Sequence, residues 1–123
     1  MRAMTYLACY PDGHVASLRD ICRAQEIPET FLAKILQSLS HAGLAISQRG
    51  ARGGFALARP ASEISMRDVV EAVDGPIALN PCVLWPEDCS RSDECQVHVA
   101  WVEAQERLMT VLDGVTLQSL ASQ

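Results

Sequence analysis

Residues 82–98 read Cys82-Val-Leu-Trp-Pro-Glu-Asp-Cys89-Ser-Arg-Ser-Asp-Glu-Cys95-Gln-Val-His98 and hold the densest set of potential ligands in the chain. Three of the five cysteines fall within fourteen residues, and a histidine follows the last of them by three positions, which on a helix puts Cys95 and His98 on one face. Thiolate and neutral imidazole are soft or borderline donors. They suit zinc, copper(I) or an iron–sulfur cluster better than magnesium or calcium. Structural zinc sites usually pair their ligands about two to four residues apart, whereas six residues separate Cys82 from Cys89 and five separate Cys89 from Cys95. Such wide, even spacing fits a loop wrapped round a larger object. A two-iron cluster held by three thiolates and a histidine fits it, histidine ligation having precedent in Rieske centres, and 2Fe-2S is favoured over 4Fe-4S. Trp85 and Pro86 are placed to shield one side. The charged neighbours are mostly acidic (Glu87, Asp88, Asp93, Glu94), so a thiolate catalyst, which prefers basic surroundings, is disfavoured. With no base paired to a nucleophile, the chain is not expected to be an enzyme or to take a small-molecule substrate.

A second chemistry lies in the glycine-rich, basic stretch Gly50-Ala-Arg-Gly-Gly54. The residues on either side, Leu44 to Arg49 and Phe55 to Arg59, alternate like half-buried strands, which makes this a β-hairpin with Arg49 and Arg52 near its tip. Glycines there remove side chains that would block close approach to a groove or to phosphates. The loop lacks the lysine and Ser/Thr of a P-loop and leads into a strand, so it is not read as a nucleotide cradle.

The elements that must position these residues follow from periodicity. Met1, Met4, Leu7 and Ala8 form a first helical stripe that stops at Tyr10-Pro11-Asp12-Gly13. A second helix starts near Ser17, where Ser17-Leu-Arg-Asp20 resembles a capping box, with Leu18, Ile21 and Cys22 inward. Cys9 and Cys22 are taken as small core residues. Pro28 opens a third helix with Phe31, Leu32, Ile35, Leu36 and Leu39 at helical spacing, capped by Gly43, and its other face presents Thr30, Ala33, Lys34, Gln37 and His41. Two short helices joined by a tight turn and followed by a basic hairpin make a winged helix-turn-helix. A fourth helix is capped at Ser65, with Met66, Val69, Val70 and Val73 inward, and ends at Gly75-Pro76. From about Glu94, Val97, Trp101, Ala104, Leu108, Val111 and Val115 recur every three or four residues, a coiled-coil seam on a long helix that calls for a second copy of the chain.

The predicted fold is therefore mainly α with a small β-hairpin. Residues 1–75 form the DNA-binding winged helix-turn-helix, residues 76–96 a cysteine-rich cofactor loop, and residues 97–123 a dimerisation helix and tail. Charge agrees with that division. Residues 1–60 carry seven Lys and Arg against four Asp and Glu, and residues 61–123 carry three against eleven, so a basic half exists for a polyanion although the net charge is -5. With no export signal and no apolar run of membrane length, a cytoplasmic protein without a membrane partner is expected, in which five cysteines argue for metal or redox chemistry over disulfides.

Several stretches in the right order then resemble one family, the winged-helix iron–sulfur regulators of the IscR, NsrR and RirA type, also called the Rrf-two family. They are Phe31-Leu-Ala-Lys-Ile-Leu-Gln-Ser-Leu-Ser-His-Ala-Gly-Leu44, the wing Arg49-Gly-Ala-Arg-Gly-Gly-Phe55, Val69-Val-Glu-Ala-Val-Asp-Gly-Pro76, the three cysteines, and Val111-Leu-Asp-Gly-Val-Thr-Leu117. The resemblance covers essentially the whole chain and implies a homodimeric transcription factor on a palindromic double-stranded operator, its binding controlled by cluster state. It matches the family's cluster ligands to Cys82, Cys89, Cys95 and His98. It matches the recognition-helix positions to Thr30, Ala33 and Lys34, and the wing's Arg-Gly motif to Arg49 and Gly50. Thr30, Lys34 and Gln37 are expected in the major groove, and Arg49 and Arg52 in the minor groove or on phosphates. Two departures stand out. Ala33 occupies the place of a glutamate that discriminates operators in IscR-type members, and the first helix begins as though cut in its middle, without a short leading piece used for DNA contact. The alternatives are a cofactor-free, zinc-binding or thiol-redox regulator of the same fold and, further off, a cluster-bearing scaffold that binds no DNA.

Overall fold

The computed structural model describes residues 1–91 and 93–122; Ser92 in the cysteine-rich loop and Gln123 at the end of the tail lie outside the described residues. Helix α1 (Arg2–Ala8) buries Ala3, Met4 and Leu7. Helix α2 (Leu18–Gln25) starts where the Ser17 side chain accepts a hydrogen bond from the Asp20 amide at 3.1 Å, and stops at Glu26, whose φ of 54° is left-handed. Helix α3 (Glu29–His41) follows Pro28 and buries Leu32, Leu36 and Leu39. Gly43, with φ of 76°, turns the chain out of it. Strands β1 (Ala45–Gln48) and β2 (Gly54–Leu57) pair antiparallel with Ala45 opposite Leu57 and Ser47 opposite Phe55. Ala16 adds a third line to this ribbon by exchanging both backbone hydrogen bonds with Phe55, at 2.8 and 2.9 Å.

Helix α4 (Met66–Asp74) carries a full capping box, in which the Ser65 hydroxyl accepts from the Asp68 amide and the Asp68 carboxylate from the Ser65 amide. Two short turns follow, α5 (Pro81–Leu84) and a 3-10 turn (Pro86–Asp88), before the 19-residue helix α6 (Gln96–Gly114), which is about 28 Å long at the α-helical rise. Helix α7 (Leu117–Ala121) then brings the chain back. Leu117 is fully buried in the core with Met4, Leu7, Ile21, Leu32, Leu36, Leu39 and Ile64. Backbone bonds from the Leu117 amide to the Ile64 carbonyl (2.9 Å) and from the Met66 amide to the Val115 carbonyl (2.7 Å) stitch the end of α6 to the start of α4.

Four expectations are corrected. Phe31 is not inward but 59% exposed; α3 buries Leu32, Leu36 and Leu39, and Phe31 is one residue, about 100°, round from that line. Val73 is exposed on α4 because Val69 is the residue centred on its inward face. Leu44 is buried as expected, but within β1 Ala45 is the buried residue and Ile46 is 45% exposed, so the apolar alternation does not carry into the strand. Cys9 is exposed at the end of α1, where its thiol donates to the Thr5 carbonyl at 3.3 Å. Cys22 does pack against the core, half-buried, and burial, then the Glu29 carboxylate, pushes its thiol pKa up.

Candidate functional site

Two sites are built on this frame, one on the winged helix and one where the cysteine loop meets α6. On the first, the outward face of α3 presents Thr30, Phe31, Lys34, Gln37 and His41 to solvent, whereas Ala33 is half-buried. The β1–β2 turn carries Arg49, Gly50 and Arg52, all exposed. Lys34, Arg49 and Arg52 take part in none of the ion pairs among the described residues, while Arg59, Arg67 and Arg107 are each held by carboxylates. Cations without an internal partner keep their full attraction for an external anion. Between α3 and the hairpin runs a groove lined by Lys34, Gln37, Ser38, Ser40, His41, Ser47 and Phe55, in which the Ser40 hydroxyl is buried without a partner.

The hairpin is held at a set height against α2 by Gly54. A Cβ there would run into the Ala16 carbonyl oxygen and stand 2.6 Å from the Ala16 carbonyl carbon and 2.9 Å from the Ser17 Cα. All three are backbone atoms and cannot rotate away. Gly54 thus allows the Ala16–Phe55 pairing that fixes the wing relative to the N-terminus of α2.

The second site grows from two proline turns. Pro81 opens α5, the Asn80 carboxamide accepts from the Cys82 amide at 3.4 Å, and the Cys89 amide donates to the Pro86 carbonyl at 3.2 Å. These turns bring Cys82 and Cys89 to face the start of α6. Cys95 is the N-cap residue of α6 yet its side chain makes no capping bond, and His98 follows one turn inside. Cys82, Cys89, Cys95 and His98 all line one cavity of about 280 Å³, with Trp85 and Trp101 on its walls. Trp101, expected in the outer seam, faces this cavity instead. The Nδ1 atom of His98 is buried with no hydrogen-bond partner. All five cysteines are free thiols. Among the described residues no three His, Cys, Asp or Glu side chains are disposed to hold a single metal ion; the four donors share a cavity without meeting at one point.

Sequence reasoning missed a residue that holds the segment leading into this cavity. Gln105 is a buried polar side chain, 7% exposed, in the middle of α6. Its Oε1 accepts from the Leu79 amide at 3.0 Å, and its Nε2 donates to the Ile77 carbonyl at 2.6 Å. No local signal marks it, because its partners are more than twenty residues away.

Among the described residues no element covers the outer side of α6 around Val111. Val111 is 61% exposed there, while Val97, equally exposed, stands at the mouth of the cysteine cavity. No helix among the described residues is long and apolar enough to cross a membrane.

Comparison with known proteins identifies the family. A family model described as Rrf2, iron-dependent transcriptional regulator, matches residues 1–123. Protein aau3 of Rhizobium meliloti (strain 1021) is 40% identical over 114 residues, covering 91% of this chain and 74% of that protein. CymR, the global cysteine regulator of B. subtilis, superposes with a TM-score of 0.78 at 29% identity over 97% of this chain and 87% of its own. IscR of T. potens also superposes at 0.78, with 26% identity over 98% of this chain and 79% of its own. With a winged helix, a basic hairpin and a family match over its full length, the chain belongs to the Rrf2 family of DNA-binding transcriptional regulators, which are not enzymes.

Proposed function

We propose that this regulator is a homodimer that binds a palindromic operator and changes its affinity with the state of an iron–sulfur cluster held by Cys82, Cys89, Cys95 and His98, most simply a 2Fe-2S cluster. The observation that carries this reading is the single cavity lined by three free thiols and a histidine whose buried Nδ1 has no partner. A buried polar atom without a partner costs free energy and calls for a ligand. Four donors spread over about 280 Å³ suit a group larger than one ion, and thiolate with imidazole suits iron–sulfur chemistry. When bound, the cluster would supply a redox-active and oxidant-labile group to the protein.

The chain's own residues carry the rest. Thr30, Lys34 and Gln37 stand on the exposed face of α3 to meet base edges and phosphates in the major groove, with Ala33 close beside them. Arg49 and Arg52, paired with no carboxylate among the described residues, and the side-chain-free Gly50 suit the minor groove or its flanking phosphates. The exposed Val111 face of α6 suits a second copy, and two winged helices related by a two-fold axis read a palindrome. Helix α6 has the cavity at its first turn and is joined to α4 at its last, where Arg67 bridges Glu71 and Asp113, each at 3.1 Å. One rigid helix therefore touches both the cofactor loop and the DNA-binding body.

Anaerobic reconstitution with iron and sulfide tests the cofactor. Visible absorption and about two irons and two sulfides per chain are expected. A colourless protein with intact thiols rules the cluster out and leaves the cofactor-free or zinc/thiol-redox regulator, a reading to which the similarity to CymR lends weight.

A further inference from the structure

We propose that Gln105 is the positioning residue that seats the cysteine loop on α6, so that the loop and the helix move as one piece. The inference rests on the cluster-controlled reading above for its functional consequence, and on geometry alone for the clamp itself. Residues 77–79 are the last of the chain before the loop turns into the cavity; Asn80 and Pro81 already line it, and Cys82 follows. This approach segment belongs to no helix or strand, so its backbone groups have no repeating partner. The Gln105 carboxamide supplies both, accepting from the Leu79 amide and donating to the Ile77 carbonyl. A primary amide is the side chain that can do this to an extended segment, since it presents one donor and one acceptor side by side, as a neighbouring strand would.

Position on the helix gives the clamp its meaning. His98, Trp101 and Gln105 recur at three and four residues, so they share one face of α6. His98 and Trp101 line the cavity, and Gln105 lies two turns beyond His98, about 10.5 Å along the axis. The loop is thus tied to α6 at two separate points of one stripe, through the ligand end at Cys95 and His98 and through the amide of Gln105. With both ties, a change in how Cys82 and Cys89 are held displaces α6. With the Gln105 tie cut, the approach segment absorbs the change by moving alone. A side chain that is 7% exposed and satisfied at both ends is also protected from competition by water, which keeps the tie in place.

The test uses the full chain with Gln105→Met, which keeps the length and removes both polar atoms, and Gln105→Glu, which keeps the acceptor and loses the donor when ionised. Hydrogen exchange at the Leu79 amide is followed first, in cluster-free protein. Q105M is expected to exchange roughly ten- to a hundredfold faster there than wild type, the equilibrium equivalent of two net hydrogen bonds. Q105E keeps an acceptor for the Leu79 amide and is expected to fall between the two, gaining protection as pH drops below about 4, where a protonated carboxyl donates to Ile77 again. Operator affinity is then measured for reconstituted and cluster-free protein. The inference expects a clear ratio between the two forms in wild type and a ratio close to one in Q105M, with each variant still folded and still binding DNA. Unchanged Leu79 exchange in Q105M overturns the clamp. A wild-type ratio retained in full by Q105M overturns the coupling role. A wild type without any ratio overturns the cluster-controlled reading beneath it, while the exchange result still judges the clamp.

Discussion

Replacing Gly54 by alanine examines the link between the wing and the helix that precedes it. The added Cβ meets only backbone, at the Ala16 carbonyl and the Ser17 Cα, so β2 must withdraw from residue 16. That withdrawal breaks the reciprocal Ala16–Phe55 pair at 2.8 and 2.9 Å. Two net hydrogen bonds are together worth about 1–3 kcal/mol. The loss of backbone freedom in the unfolded chain offsets about 0.4–1 kcal/mol of this, which leaves a net destabilisation of about 1–2 kcal/mol. With a urea m-value of about 1–3 kcal/mol/M for a small protein, the unfolding midpoint should fall by roughly 0.3–2 M. Gly114 is the internal control: it ends α6 with nothing within 4 Å of a built Cβ, so G114A should leave the midpoint unchanged or raise it slightly. G54A should also bind operator more weakly, because Arg49 and Arg52 ride on the displaced hairpin. A G54A midpoint equal to that of wild type, with operator affinity intact, would refute the reasoning.

Three further outcomes are expected. Leu117→Ala, which empties a fully buried site between α7 and the winged helix, should cost about 2–5 kcal/mol in denaturant unfolding; a loss under about 0.5 kcal/mol would mean that α7 does not belong to the core. Arg49→Ala should weaken DNA binding and lower the salt dependence of log Kd by about one phosphate contact, and an unchanged slope would take the wing off the DNA. Val111→Glu puts a charge on the bare face of α6 and should shift sedimentation from dimer to monomer with the fold retained; an unaltered mass places the interface elsewhere.

Much of this architecture was legible because local chemistry and tertiary packing agree. Ser17 and Ser65 cap the helices they precede, Pro28 and Gly43 bracket α3, and the glycines of the 50–54 turn coincide with the hairpin. The exposed positions Thr30, Lys34 and Gln37 could be chosen because a 3.6-residue period separates them from Leu32, Leu36 and Leu39. The same period misled at Phe31 and Val73, where an apolar residue next to the buried line extends the stripe on paper but not in the packed helix. Helix α7 escaped because five residues show no periodicity, although Thr116 and Ser119 form a reciprocal capping box that could have signalled it. Gln105 was invisible for another reason. Its role depends on Ile77 and Leu79, and only the folded chain brings them together. The cysteines were conspicuous by type, but their convergence on one cavity depends on the two proline turns and on the entry of α6.

The central claim is that the cavity at the start of α6 controls DNA binding. It is tested most directly by measuring the dissociation constant of one operator for the same preparation, anaerobically reconstituted and then stripped of its iron by chelation, at fixed salt. The account predicts that the two values differ by about tenfold or more, as a coupling of typical allosteric size requires, and that Cys89→Ser and His98→Ala each abolish the difference. Equal dissociation constants for the two forms, with the cluster verified in one and absent from the other, would contradict it.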